Sequence, residues 1–145
     1  YVEVPAAWHE VDGSVMLSDD GQVIAASIVA SPDIASYEDT YADPGVQFIA
    51  SRVLGEVYDI DSLLDELGFE ECSYDGRYDY EDSMYTGKYD LYVECAGEDI
   101  AAIIVAAEPP ERDYVIVVII QVTTEADLEA AERILNTFQV IGNVP

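Results

Sequence analysis

The sequence predicts an α+β fold: a single antiparallel β-sheet meander flanked by about three α-helices, arranged as an α/β/α sandwich. Predicted strands follow one another with short turns between them, and this order favours an antiparallel meander over βαβ crossovers. Residues 100–107 and 114–122 are apolar at nearly every position and rich in β-branched side chains. Strands of this kind are covered on both faces, so we expect helices on both sides of the sheet.

The N-terminal part of the chain predicts strands and a turn. Residues 2–17 indicate short strand pieces, with a bend at Pro5 and a buried Trp8. The Asp-Asp-Gly sequence at 19–21 is typical of a turn. Residues 22–30 then form a nearly all-apolar run, which predicts another strand.

The first helix is predicted to begin at a Ser-Pro-Asp sequence. Ser31 can cap the helix, Pro32 suits its first turn, and the Asp33 carboxylate favours the positive end of the helix dipole. The apolar stripe that follows is Ile34, Tyr37 and Tyr41. The Pro-Gly pair at 44–45 breaks the helix, and residues 46–51 predict a short strand.

Two further helices are predicted from apolar spacing and capping residues. The first of them has its stripe at positions i, i+3, i+4 and i+7 and ends at Gly68. The second is capped by Thr124 and has acidic residues in its first turn. The two stripes are Ile60, Leu63, Leu64 and Leu67, and Leu128, Ala131, Leu135 and Phe138. We expect a short tail at 139–141 to return to the sheet.

Residues 72–95 contain both cysteines, the only lysine and six of the eleven tyrosines. A hairpin folded about residues 83–84 sets Cys72 opposite Cys95. The same register gives the pairs Tyr74–Val93, Tyr78–Tyr89, Arg77–Asp90 and Asp79–Lys88. It thus combines a disulfide-capable pair, a packed tyrosine face and a charge-paired outer face, and such cross-strand pairs each contribute roughly 0.2–1 kcal/mol. Ser-Met is a poor two-residue turn, so a bulge or a wider loop at 82–85 is an alternative.

We interpret Cys72 and Cys95 as a structural disulfide, and they are the only site residues that the sequence assigns. A redox or nucleophilic site is the weaker alternative, because the chain has no CxxC sequence and its single histidine, His9, is far away in sequence. A structural disulfide indicates an oxidising, extracytoplasmic compartment.

Carboxylates and tyrosines of the same segment suggest two binding hypotheses. Asp75, Asp79, Glu81 and Asp82 look like a run of calcium ligands, but no window has the EF-hand spacing, so a solvated strand face is favoured. The tyrosine face is compatible with a sugar or peptide platform, although aromatic residues at strand spacing more often pack in a core. We therefore assign no metal ligand and no cofactor.

The composition is strongly acidic, with 31 Asp and Glu against 5 Lys and Arg and a formal net charge of -26. Such a field repels nucleic acid and anionic membranes, and it favours cations and basic partners. A solvated acidic surface, including that of a protein from a salt-rich habitat, explains the same composition. No apolar run reaches the roughly 18 residues that a membrane span needs.

Motifs of the common catalytic mechanisms are missing from the sequence. No serine lies in a GxSxG sequence, and a Ser-His-Asp mechanism would need His9 as its base. There is no P-loop, GxGxxG, HExxH or paired-cysteine zinc spacing. We therefore assign no catalytic residue. A hydrolase stays a third hypothesis, behind a small-molecule or calcium-binding domain as the second.

Four segments of the chain carry a family resemblance. They are VPAAW at 4–8, SPDI at 31–34 with PGVQFIAS at 44–51, the hairpin CSYDGRYDYED…C at 72–95, and ILNTFQV at 134–140. Together they resemble the non-catalytic C-terminal module of secreted or membrane-anchored bacterial trypsin-like (Deg/Htr-type) serine proteases. The first and last segments are also similar to the PsbP/Mog1-like fold, an antiparallel sheet flanked by helices.

The resemblance implies one accessory domain, residues 1–145, outside the cytoplasm, with a protein partner or an attached protease domain. Because the sequence begins at Tyr1 without a methionine or a signal-peptide pattern, we expect a domain excised from a longer protein. No position matches a protease triad, and no binding residue carries over. The first hypothesis is therefore a non-catalytic interaction or regulatory module.

Overall fold

A computed structural model describes residues 2–145 of the protein. The strands are β1 (Glu10–Leu17), β2 (Val23–Ser31), β3 (Gly45–Ser51), β4 (Ser73–Glu81), β5 (Thr86–Val93), β6 (Ala101–Glu108) and β7 (Val115–Val122). The helices are α1 (Ile34–Asp39), α2 (Arg52–Val57), α3 (Ile60–Glu66) and α4 (Glu125–Thr137), and a single 3-10 turn spans Cys95–Gly97.

The seven strands form one antiparallel sheet in the order β1-β2-β3-β7-β6-β5-β4. Two meanders, β1 to β3 and β4 to β7, are joined where β3 pairs with β7. This arrangement puts β7 in the centre of the sheet and leaves β1 and β4 at its two edges. All residues of β7 except Ile119 are buried, as its apolar sequence requires.

The predicted α/β/α sandwich flanked by about three helices is wrong. The sheet makes up most of the ordered structure, and the described residues form four helices. Three of them, α1, α2 and α3, have only six or seven residues each, which is less than two turns. Apolar stripes indicate that a helix forms, but they do not indicate whether it is long enough to build a layer. The chain also does not form one continuous meander, since β3 and β4 lie far apart in the sheet.

One face of the sheet, which we call the α4 face, is covered by α4 and the two ends of the chain. Trp8 is buried there, as predicted, together with Ala131, Ile134 and Phe138. Thr124 caps α4 in a capping box with Asp127, as its position predicts. Leu128, however, is half exposed, because the buried side of the helix is Asp127, Ala130, Ala131 and Ile134.

The opposite face, which we call the α3 face, lies under α1, α2 and α3. Leu63 and Leu64 of α3 are buried against it, as the stripe predicts. The cap of α1 is Asp33, whose carboxylate accepts from the Ser36 amide, and the predicted cap Ser31 instead ends β2 as a buried residue. The tail at 139–141 joins no strand. None of the helices in residues 2–145 is both long and apolar enough to cross a membrane.

Candidate protein interface

The 72–95 segment forms the predicted hairpin, with one irregularity. Tyr78 pairs with Tyr89, and Arg77 with Asp90, in the predicted register. A bulge at Asp75 shifts the pairing by one residue below this point, so that Tyr74 lies opposite Tyr92 and not opposite Val93. Because side chains alternate along a strand, the bulge moves Tyr74 to the other face of the sheet.

A disulfide bond joins Cys72 to Cys95 at the base of the hairpin. Cys95 is fully buried in the apolar cluster of the α3 face, and Cys72 packs against the same cluster. The bond therefore ties the chain just before β4 to the turn that follows β5. Both cysteines take part in this bond, so the described residues contain no free thiol.

The charged face of the hairpin is solvated only in part: Asp79 and Glu81 are exposed as predicted, whereas Asp90 is buried and Arg77 is partly covered. Arg77 lies under α3 and donates two hydrogen bonds to the carboxylate of Asp90, at 2.7 and 3.0 Å. Asp90 is only 1% exposed. Arg77 also forms ion pairs with Asp65 and Asp61 of α3. Lys88 lies opposite Asp79 in the predicted register, but its ammonium group forms its ion pair with Asp61. This network fixes α3 to the hairpin.

We expect Asp61→Asn to reduce the loss of stability in acid. Hydrogen bonds from Lys88 and Arg77 hold the pKa of Asp61 below its ordinary value of 3.8. A carboxyl group with a lowered folded-state pKa stabilises the protein fully above its unfolded-state pKa, and this contribution is lost as the pH falls through the folded-state value. Urea unfolding from about pH 6 to about pH 2.5 should therefore show a shallower decline in the variant.

The matched control for this experiment is Glu66→Gln, which removes an exposed carboxylate from the same helix. Glu66 forms no ion pair with Arg77 or Lys88 in residues 2–145. Its variant should keep the wild-type slope of stability against pH. An equal change of slope in both variants would contradict a specific contribution from Asp61.

The other carboxylates of the hairpin do not converge on a metal site. Within residues 2–145 there is no group of three or more His, Cys, Asp or Glu residues that could hold a metal ion. Asp82 instead stabilises the turn, because its carboxylate accepts hydrogen bonds from the amides of Met84 and Tyr85 and from the hydroxyl of Tyr80. Asp75, Asp79 and Glu81 are exposed on the edge strand β4.

The tyrosines of the hairpin do not form one continuous platform. Tyr78 stacks on Tyr89 with ring centroids 5.3 Å apart on the α4 face. Tyr74 packs on Tyr92 on the α3 face because of the bulge. Tyr74 and Tyr78 are the exposed pair, and they lie on opposite faces. A single flat ligand cannot contact both of them.

A row of exposed apolar side chains lies at the other edge of the sheet. Val11, Val15 and Leu17 of β1 are 62, 52 and 57% exposed. They alternate along the strand and therefore share the α4 face, beside partly buried Ile28 of β2. We call these four residues the apolar strip. Val23, paired with Leu17, extends it at one end, and a groove of about 140 Å³ between β2, β3 and the C-terminal tail lies next to it.

The edge of the sheet beside the apolar strip is open. One side of β1 pairs with β2, and no described strand pairs with its other side. An exposed edge strand with apolar side chains is normally protected by charge, by a bulge or by a partner. β1 is eight residues long, and its only irregularity lies at its end, between Met16 and Leu17. Sequence reasoning located β1 only as strand pieces and missed the strip.

The region around the strip is negatively charged. The first 51 residues contain no lysine or arginine, whereas Glu10, Asp12, Asp19 and Asp20 lie in β1 or in the turn that follows it. His9, which precedes β1, is exposed, and no hydrogen bond or ion pair in the described residues joins it to a serine or a carboxylate. The combination is an uncovered apolar surface with an acidic border, which is typical of a binding site for a protein of opposite charge.

Comparisons with known proteins identify no relative of this chain. No protein-family model matches the sequence, and no curated protein matches it. No solved structure matches the fold. The functional assignment therefore depends on the surface and its chemistry.

Proposed function

We propose that this chain is a non-catalytic protein-interaction module that works outside the cytoplasm and binds its partner through the apolar strip. The observation that carries this proposal is the exposure of Val11, Val15 and Leu17 on an unpaired edge strand. Single exposed apolar residues are common on protein surfaces, but three on one face of an open edge are not. A partner that covers them removes both the apolar area and the unpaired backbone from water.

The charge of the region indicates the chemistry of this partner. A second copy of the chain would bring two acidic surfaces together, and like charges at an interface cost several kcal/mol. A basic segment that alternates apolar and cationic side chains would match both the strip and its border. Extended segments can add as a further strand to such an edge, with affinity from backbone hydrogen bonds and specificity from alternate side chains.

The compartment and the parent protein belong to the same proposal. The buried disulfide supports an oxidising environment, because such bonds persist outside the cytoplasm. The resemblance of the sequence to accessory modules of secreted trypsin-like proteases makes an attached or neighbouring protease the first partner to test. In that arrangement the module would direct the protease to its substrates or regulate its access to them.

Val15→Lys is expected to weaken partner binding at least about tenfold, because it places a charge in the centre of the apolar strip and repels a basic segment. Val15 is exposed, so folding stability should change by only about 0.5 kcal/mol. The measurement is site-specific photo-crosslinking from Leu17 in the full-length protein in its host, with adducts identified by mass spectrometry.

Ser83→Lys is the matched control, because it adds the same charge to an exposed loop at the opposite edge of the sheet. A crosslinker at Ser83 tests the specificity of the adducts in the same way. The proposal predicts an adduct with a basic protein from Leu17, lost in Val15→Lys and retained in Ser83→Lys. Equal adducts from both crosslinker positions, or equal losses in both variants, would contradict an interface at the strip.

A further inference from the structure

A recess lies on the α3 face over the centre of the sheet, between α1 and the loop that follows α3. Its volume is about 290 Å³, close to the lower limit of small-molecule sites. Its walls include Tyr37, Glu38, Gln47, Phe69, Ile104 and Gln121. The two glutamines are polar residues inside the largely apolar strands β3 and β7.

Gln121 lines this recess and has a side-chain oxygen free to accept a hydrogen bond. The side chain is 2% exposed, and its Nε2 donates to the carbonyl oxygens of Thr40 and Asp43. Two carbonyl acceptors on one side fix the orientation of the amide, because the reverse orientation would oppose oxygen to oxygen. The Oε1 atom has no donor among the described residues. No sealed side-chain oxygen in the described residues lacks a hydrogen-bond partner, so Oε1 is not sealed from solvent, and the recess that Gln121 lines is the open space beside this side chain.

Gln47 and Glu38 add two further acceptors. Gln47 pairs with Ile119 while Gly45 pairs with Gln121, so the two glutamines are diagonal neighbours on one face. The Nε2 atom of Gln47 donates to the hydroxyl of Ser27 at 3.3 Å. Glu38 lines the recess from α1, is exposed, and forms no ion pair within residues 2–145.

The aromatic residues of the recess complete an environment suited to a cation. Phe69 makes edge contacts with Tyr41 and Tyr92, at 6.2 and 5.5 Å between ring centroids, which hold it in place. Tyr37 donates its hydroxyl proton to the carbonyl of Ile119, and burial together with the charge of Glu38 raises its pKa, so this proton is retained. The side chains of the recess therefore offer mainly acceptors and aromatic rings.

We propose that the recess binds an organic cation that carries a primary ammonium group. An ammonium group has three N–H donors, and Gln47, Gln121 and Glu38 supply three acceptors. Aromatic rings attract cations, and the net charge of -26 raises the local concentration of cations. None of the five basic residues lines the recess, and each of them forms an ion pair elsewhere in the described chain.

The ammonium group has two possible sources, a free amine or a lysine side chain of another protein. Both have the same binding chemistry, and two probes distinguish them: benzylammonium ion for the free amine and the peptide acetyl-Gly-Lys-Gly-amide for the side chain. This proposal does not depend on the proposed function, because the recess and the apolar strip lie on opposite faces of the sheet. Loss of one site in a variant leaves the other intact.

The test is an NMR titration of the folded chain with each probe, followed through the side-chain amides of Gln47 and Gln121. Benzyl alcohol is the neutral control for benzylammonium, and it should bind at least about tenfold more weakly, because it lacks the charge that strengthens hydrogen bonds to carboxylate and amide oxygens. Saturable shifts with either cationic probe support the proposal, and the probe that binds identifies the source. No saturable shift with both probes would overturn it.

Variants distinguish specific binding in the recess from general attraction of cations to an acidic surface. Glu38→Gln is expected to weaken binding about three- to tenfold, and Gln47→Leu by about tenfold. Glu129→Gln removes one exposed charge from α4 on the other face and should leave binding unchanged. Near-ultraviolet circular dichroism checks that each variant is folded, and Glu38→Gln keeps the test valid if the substitution at Gln47 perturbs the sheet. Equal weakening in Glu38→Gln and Glu129→Gln would show non-specific attraction and refute the site.

Discussion

Replacing Arg77 with alanine is expected to lower the free energy of unfolding by about 3–5 kcal/mol. The carboxylate of Asp90 is buried, and both of its oxygens accept hydrogen bonds from this guanidinium. Those bonds raise the pKa of Arg77, so it carries its charge at any pH at which the protein is folded. Removing it leaves an uncompensated charge inside the protein. The ion pairs of Arg77 with the exposed Asp61 and Asp65 contribute less to stability than the pair with Asp90, because water screens exposed ion pairs.

Equilibrium unfolding in urea near neutral pH measures this effect, with Arg112→Ala as the matched control. Arg112 pairs with Glu108 at the surface and is 79% exposed, so its loss should cost less than about 1 kcal/mol. The double variant R77M/D90L removes both charges and should recover most of the loss, since an apolar pair can replace a buried ion pair at little cost. Equal effects of Arg77→Ala and Arg112→Ala would contradict a buried pair.

Much of the hairpin could be predicted from the sequence because its pairing is local. Alternation along two strands joined by a short loop sets Arg77 opposite Asp90 and Tyr78 opposite Tyr89, and both pairs are observed. The bulge at Asp75 has a local signal that the register argument misses. Gly76, the next residue of β4, has φ of 130°, and a glycine inside a strand often marks a bulge.

Long-range contacts account for the predictions that are wrong. Lys88 lies opposite Asp79 as the hairpin register predicts, but the predicted charge pair does not form, because α3 brings Asp61 within 2.9 Å of the Lys88 Nζ. Strand order is equally non-local. β3 and β7 are apolar on both faces, so their sequences carry no register signal, and their pairing joins the two meanders. That pairing also leaves β1 at an edge, which is why the apolar strip could not be predicted.

The recess shows a signal that was present in the sequence and was missed. Gln47 and Gln121 interrupt VQFIA and IIQV, two otherwise apolar runs that predict strands. A polar side chain in a strand that is covered on both faces needs a hydrogen-bond partner, and such residues often mark a site. Recognising that the two glutamines are diagonal neighbours requires the β3–β7 register, which the sequence does not provide.

Removing the disulfide by the double substitution C72A/C95A is expected to lower the free energy of unfolding by about 3 kcal/mol. The bond closes a loop between residues 23 positions apart, and without it the unfolded chain gains conformational freedom. The double variant C72S/C95S should lose more, because a serine hydroxyl would replace the buried sulfur of Cys95 in an apolar cluster. Chemical reduction of the wild-type protein, followed by urea unfolding, gives an independent value for the same bond.

The same cysteines test the compartment in the native host. Protein alkylated at the moment of cell lysis should carry no label, and protein reduced beforehand should carry two labels by intact mass. Full labelling without reduction would contradict both the disulfide in the cell and the extracytoplasmic proposal.

If the bond is present but C72A/C95A is as stable as the wild type, the hairpin is held mainly by α3 and the Arg77 network. In that case the stability lost in Arg77→Ala should be larger in the C72A/C95A background, because contacts that hold the same element are not independent.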